Sequence, residues 1–294
     1  MRKFEMQGTG VAIATPFKKD GKVDYKSLEK LVVHLIKGKV EYIVALGTTG
    51  ESVTLNKDEK SAVTKHIVDI TDGRIPVVLG IGGNNTAEVL HAVENSNLKG
   101  IAAILSVSPY YNKPSQQGIY EHYRALSKAS HLPIILYNVP GRTSSNLTAE
   151  TTLRLANDFQ NIAAIKEASG NFAQIMKIIK YRPKGFKVIS GDDLITLPII
   201  ACGGDGVISV IANAFPYQFS EMTRLALKGD FAAASKLHYQ LTDMTDWLFS
   251  DGSPGGIKAA LEILGICQNN LRLPLVPVNS NVYASIKKEI SKLK

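Results

Sequence analysis

Residues 161–167 read NIAAIKE, an unbroken apolar run that ends on a lysine and a glutamate. A run so short and so continuously apolar fits a strand buried on both faces rather than a half-exposed one. Working outward from it, the same pattern recurs. GVAIATP (10–16), EYIVALG (41–47), IPVVLGI (75–81), IAAILSV (101–107) and LPIILYN (132–138) precede it, and KVISG (187–191) and DGVISV (205–210) follow. Between these runs lie segments with apolar residues at helical spacing, such as YKSLEKLVVHLIKG (25–38), KDEKSAVTKHIVDIT (57–71), TAEVLHAVENSN (86–97) and QQGIYEHYRALSKAS (116–130). Asp24, Asn56 and Thr148 are suited to cap helix N-termini, and Gly38 to stop a helix. Regular alternation of buried strands and helices predicts a parallel sheet covered by helices, and eight such units predict a closed (β/α)8 TIM barrel. The competing topology is an open doubly wound sheet. Its Gly-rich dinucleotide turn would follow the first strand, and GVAIATPF has none.

After the eighth run the alternation stops, and 216–227, 230–249, 255–265 and 280–293 read as consecutive helices. The expected organisation is a catalytic barrel over 1–225 and a C-terminal helical region over 226–294. The chain has 294 residues, and a single α/β barrel takes about 250, so one barrel plus a helical appendage accounts for the length.

Composition narrows the function classes. The two cysteines, Cys202 and Cys267, are too few for a disulfide framework and point to a reducing compartment. The N-terminal MRKFEMQGTG has basic residues with no apolar stretch behind them, and no run approaches the roughly 18 residues of a spanning helix. A soluble, cytoplasmic protein is expected. The formal net charge is +8, but the lysines and arginines are spread over polar helix faces without interleaved aromatics, so neither nucleic acid nor membrane is an expected partner. The final KKEISKLK reads as the frayed end of an amphipathic helix. The six histidines, at 34, 66, 91, 122, 131 and 238, are scattered without an HExxH or similar spacing, which disfavours a metal-dependent aldolase. No cofactor or metal is expected.

In a barrel of this kind the active site lies at the C-terminal ends of the strands. Those ends carry Gly47-Thr48-Thr49-Gly50-Glu51, Ser108-Pro109-Tyr110-Tyr111-Asn112, Tyr137-Asn138-Val139-Pro140-Gly141-Arg142, Lys166-Glu167, Gly191-Asp192-Asp193 and Ile208-Ser209. Alternation places Lys166 on one face with Ile162 and Ala164, and Ile165 and Glu167 on the other, toward the helices. Two readings of Lys166 stay open at this level: an ammonium snorkelling from the strand end to solvent, or a buried amine that forms a Schiff base with a carbonyl substrate. Tyr137 is either a core ring with its hydroxyl at the rim or a proton carrier, with Thr48 and Tyr111 completing a hydroxyl relay. Arg142 is either a solvated loop charge or a planar clamp for a substrate carboxylate, and Thr48-Thr49 either a tight turn or a carboxylate site. GIGGNN (80–85) lacks a following Gly-Lys-Ser/Thr and reads as a plain turn. Asp192 and Asp193 stand where such barrels often bind phosphate, and would repel one.

Taken together, GVAIATPF, GTTGES, SPYYNKPSQ, YNVPGRT, AIKEASG, SGDD and GDGVISV resemble the dihydrodipicolinate synthases, of the pyruvate-dependent class I lyase family that also contains N-acetylneuraminate lyase. The resemblance spans essentially the whole chain. It implies condensation of pyruvate with L-aspartate-4-semialdehyde through a lysine Schiff base, giving 4-hydroxy-tetrahydrodipicolinate in the diaminopimelate route of lysine biosynthesis. Position by position it implies Lys166 as the Schiff-base lysine, Tyr137 as the proton carrier, and Thr48 and Tyr111 as relay, with Tyr111 reaching into a neighbouring subunit's site. Thr49, Gly191 and Ile208 match the pyruvate pocket, and Arg142 matches the arginine for the aldehyde's carboxylate. The YNVPxRT arginine separates the synthases from the sialic acid lyases. This chain continues RTSSN where many synthases have RTG. Ser52, Asn84, Glu88 and Tyr110 match an interface site for inhibitory lysine, but Lys57 and Lys60 stand where sensitive members often carry histidine. The resemblance also implies a homotetramer built from two tight dimers. Two rivals remain: a sibling lyase cleaving a 2-keto-3-deoxy acid or N-acetylneuraminate with the same lysine, and a non-catalytic keto-acid sensor on the same barrel.

Overall fold

Eight parallel strands close on one another in chain order: β1 (Gly8–Ala12), β2 (Tyr42–Ala45), β3 (Val77–Gly80), β4 (Ile101–Val107), β5 (Ile134–Asn138), β6 (Ile162–Glu167), β7 (Lys187–Ser190) and β8 (Gly206–Ser209), with β8 pairing back to β1. The structure is a computed structural model that describes residues 4–293. The first three residues of the N-terminal stretch, and Lys294 at the end of KKEISKLK, lie outside the described residues. Helices α1 (Tyr25–Lys37), α2 (Lys57–Thr71), α3 (Thr86–Asn95), α4 (Gln116–Ala129), α5 (Pro140–Thr143), α6 (Ala149–Asp158), α7 (Phe172–Tyr181) and α8 (Thr196–Ala201) fall between strands. Four more, α9 (Pro216–Leu227), α10 (Phe231–Phe249), α11 (Gly255–Ile263) and α12 (Ser280–Lys292), follow the last strand. The (β/α)8 barrel and the terminal run of helices expected from the sequence are both present.

The caps show why the helices start where they do. Asp24 accepts the Ser27 N–H at 3.2 Å, Thr148 accepts that of Thr151 at 3.3 Å, and Asn56 forms a reciprocal capping box with Glu59. Gly38 ends α1 for a different reason than a left-handed cap. Its φ is −75°, and a Cβ there would lie 2.4 Å from the Pro216 ring, so the missing side chain serves close packing against α9. The first strand also differs from expectation. It begins at Gly8 and ends at Ala12, because beyond Ala12 the Asn213 side chain takes over, accepting from Ala14 N–H at 3.0 Å and donating to the Ala12 carbonyl at 2.9 Å.

Alternation sorts the strand residues into two cores. Val11, Ile43, Leu79, Ile165 and Val207 pack outward against the helices. Ala12, Val44, Val78, Leu105, Ile135 and Ile208 fill the barrel, with Tyr42 plugging its lower end. Gly10 makes room for that ring, since a Cβ would fall 2.1 Å from it. One residue departs from the expected face. Ile162 packs outward rather than beside Ala164, because the β5–β6 register shifts between Ile134 and Ile135, pairing them with Ile162 and Ala164. The bulge spares the upper half of β6, so Ala164 still faces inward.

Candidate active site

The register of β5 against β6 pairs Tyr137 with Lys166 at the top of the barrel. Both side chains turn inward and are nearly buried, and the ammonium lies 4.4 Å from the centre of the Tyr137 ring. With 5% of its surface exposed, Lys166 is not a snorkelled end-of-strand charge. Gly191 leaves the space it occupies: a Cβ there would lie 3.1 Å from Lys166 Cε and 2.6 Å from the Ala168 side chain. Ile208, 1% exposed on β8, belongs to the same inner core.

The neighbouring carboxylate is on the far side of the wall, as alternation requires. Glu167 has no exposed surface, and it is solvated by Asn138 Nδ2 at 3.1 and 3.2 Å, the Ser169 N–H at 2.8 Å and Gln174 Nε2 at 2.9 Å. Asn138 also donates to Asn146 and accepts the Leu147 N–H, tying the ends of β5 and β6 to the loop after Arg142. Sequence reading missed this buried network. The signal available was Asn138, an amide closing an otherwise apolar strand.

After β2 the chain makes two successive 3-10 turns, Thr48–Gly50 and Ser52–Thr54, with Thr49 buried and Thr48 exposed along the cleft. Arg142 rises from the short α5 on the other side, and its guanidinium donates to the Ser253 carbonyl at 3.4 Å. Tyr111 is not brought into this group. It is 87% exposed with φ +73°, and among the described residues no hydrogen bond links the Tyr111, Tyr137 and Thr48 hydroxyls to one another; Thr48 and Tyr137 share only the lining of the cleft. Ser52, Asn84, Glu88 and Tyr110 line the same cleft, as do Lys57 and Lys60. Among the described residues, no group of three or more His, Cys, Asp or Glu side chains could hold a metal ion.

Chain and fold together match known proteins. A family model described as the dihydrodipicolinate synthetase family covers residues 5–293. The chain belongs to that family. It is 52% identical to the 4-hydroxy-tetrahydrodipicolinate synthase of Parabacteroides distasonis, over 100% of this chain and 99% of that one, and 53% identical to that of Flavobacterium psychrophilum, over 97% and 98%. The crystal structure of the dihydrodipicolinate synthase from Thermotoga maritima superposes with a TM-score of 0.96 at 38% identity, covering 98% of this chain and 99% of the other. A dihydrodipicolinate synthase variant described as monomeric superposes with a TM-score of 0.95 at 39% identity, covering 97% and 96%.

The family's arginine loop has its own local form here. Ser144, which replaces the glycine of the RTG pattern, closes α5 in the left-handed conformation at φ +54°. A β-carbon is disfavoured there, while glycine adopts the conformation freely. Ser144→Gly is therefore expected to stabilise the protein by about 0.5–1 kcal/mol, measured by urea denaturation, with unchanged kinetics for the aldehyde. A destabilised variant would show that the serine holds the loop in some other way.

Asp193 closes the loop after β7. One carboxylate oxygen accepts the Val210 and Ile211 N–H groups at 3.0 and 2.9 Å, and the other is buried without a partner. Burial pushes its carboxyl from 3.8 up to about 6. The folded state therefore holds this proton more tightly than the unfolded chain, and the cost of ionising it is absent below about pH 4 and complete above about pH 6. Asp193→Asn should be more stable than the parent by about 2–3 kcal/mol at pH 8, with the gap narrowing at pH 5. Urea midpoints at the two pH values check this, and an equal gap at both would overturn it.

Proposed function

We propose that this protein condenses pyruvate with L-aspartate-4-semialdehyde through an imine on Lys166, giving 4-hydroxy-tetrahydrodipicolinate on the diaminopimelate route to lysine. The observation that carries this reading is the placement of Lys166, a nearly buried amine over the Tyr137 ring at the mouth of a family barrel, with hydroxyl donors and an arginine around one cleft. The amine adds to the pyruvate carbonyl, and loss of water leaves the imine. Removal of a methyl proton gives the enamine, whose carbon attacks the aldehyde. The amino group of the second substrate then adds to the imine carbon, closes the ring and releases Lys166.

Roles follow position. Tyr137, packed against Lys166, carries the protons, with Thr48 as its neighbour in the relay. Thr49, Gly191 and the backbone of Ile208 hold the pyruvate carboxylate, and Arg142, opposite, takes that of the aldehyde. The outward, left-handed Tyr111 completes the relay of a second copy, which supports a homotetramer of two tight dimers over a lone chain. A cytoplasmic location accords with a biosynthetic enzyme of this kind, and no helix of the described residues is long and apolar enough to cross a membrane.

Borohydride reduction with pyruvate, read by mass spectrometry on the peptide carrying Lys166, tests the covalent step. Turnover of the two substrates against N-acetylneuraminate and 2-keto-3-deoxy acids tests the specificity. Lys57 and Lys60 add positive charge to the cleft that also carries the positions proposed for inhibitory lysine, Ser52, Asn84, Glu88 and Tyr110. Weak or absent inhibition is expected. Near-complete inhibition by sub-millimolar lysine would contradict it.

A further inference from the structure

The turn carrying Thr48 and Thr49 ends on Glu51, a residue the proposed chemistry does not use. Glu51 is 1% exposed and left-handed at φ +51°. It stands at the cleft wall with its carboxylate buried. One oxygen pairs there with the ammonium of Lys258 on α11, both side chains having 0% exposure, and the other accepts the Arg272 N–H at 3.1 Å. Lys258 also donates to the Asn270 carbonyl at 2.8 Å and lies 4.1 Å over the Phe17 ring. The Arg272 guanidinium donates to the Gly21 and Thr54 carbonyls and to the Glu59 carboxylate at the start of α2.

A buried ion pair is expensive to desolvate, and an apolar pair of similar volume commonly stabilises as well or better. What the charged pair adds is direction. An ammonium is satisfied only when carboxylate, carbonyl and ring stand in particular places, and the carboxylate is satisfied only from one side of the turn. The other anchors are local: the Gly50 N–H donates to the Gly47 carbonyl at 3.1 Å, the Glu51 N–H to the Thr48 carbonyl at 3.0 Å, the Thr15 hydroxyl to the Gly50 carbonyl at 2.7 Å, and the Thr54 N–H and hydroxyl to the Glu51 carbonyl at 2.9 Å each. They set the shape of the turn, and the Glu51 carboxylate is what ties its end to α11 and to Arg272.

We propose that Glu51 and Lys258 are positioning residues for the pyruvate site: the buried pair holds the end of the turn and so aims Thr48 and Thr49 into the cleft. The inference rests on the reading of pyruvate as the imine-forming substrate. It confines the effect to that substrate when Glu51 is changed, because Arg142 stands on α5 and donates to Ser253, away from Glu51. Ser253 lies just before α11, so Glu51 gives the cleaner variant.

The test is Glu51→Gln, with the double variant Glu51→Gln/Lys258→Met removing both charges. Read out are KM for each substrate, pyruvate dependence of borohydride trapping, and the thermal midpoint. For Glu51→Gln, the pyruvate concentration for half-maximal trapping should rise about tenfold or more, with aldehyde KM within about threefold of the parent and Lys166 still fully labelled at saturation. The double variant should regain thermal stability without regaining pyruvate affinity, which separates positioning from a merely structural role. If the single variant does not fold, the double variant carries the comparison. Half-maximal trapping within about twofold of the parent in a folded variant overturns the proposal. Failure of the parent itself to trap pyruvate at Lys166 would instead refute the proposed function.

Discussion

Lys166→Met is expected to abolish turnover, by a factor on the order of 10⁴ or more, equivalent to about 5 kcal/mol or more of lost transition-state stabilisation. Lys187 shares its strand face with the inward Ile189, but it stands at the start of β7, at the other end of the barrel, and pairs with Asp205 at 2.9 Å. Glu167, the adjacent charge, lies across the wall among neutral donors, and Lys258 is held beneath the floor by Glu51. Methionine keeps the length of the stem and its contact with the Tyr137 ring while removing an ammonium that is only 5% exposed, so stability should stay level or rise. The variant should still bind pyruvate, because the Thr48–Gly50 turn and Gly191 are untouched, but borohydride should leave no adduct. Activity above about 1% of the parent in a folded variant would mean that the reaction does not pass through this imine. A folded, pyruvate-binding and inert protein would also dispose of the sensor reading, provided the parent turns over.

The parts of this site legible in the sequence are those set by short-range rules. Burial on both faces gives the strands continuous apolar runs, so all eight could be located, and a barrel's chemistry sits at their C-terminal ends. Alternation then separated Lys166 from Glu167 over a span too short for error to build up. The same rule failed at Ile162, four residues earlier, because a register shift between neighbouring strands leaves no mark on either strand's own pattern. Gly38 was legible as a helix end and illegible as a contact with Pro216, which depends on how α9 returns to the barrel. The same limit hid the partner of Glu51. Lys258 stands in GGIKAALEI, where an amphipathic reading assigns a lysine to water, yet the fold gives it no exposed surface. Tyr111 marks a further limit. The sequence names the residue, while the fold leaves it 87% exposed and left-handed at φ +73°, outside the group around Lys166.

The second large effect is expected at Tyr137, where the open choice was between a core ring and a proton carrier. Tyr137→Phe keeps the ring, the stacking beneath Lys166 and the inner-core packing, and removes only the hydroxyl. A ring serving packing alone would lose little by this change. A proton carrier should lose about 10²–10⁴ in kcat, the usual worth of a positioned acid–base group. Its KM for pyruvate should change far less, because the carboxylate site proposed above is on the Thr48–Gly50 turn and not on β5. Imine formation and the final ring closure both need a proton moved at the same place, so pre-steady-state trapping should slow along with turnover. Thr48→Val, which removes the next hydroxyl of the proposed relay, should then lower kcat in the parent and add little on top of Tyr137→Phe, because members of one relay would act as a unit. Fully additive losses would show that the two hydroxyls act independently, and a near-normal kcat for Tyr137→Phe would return the tyrosine to the core.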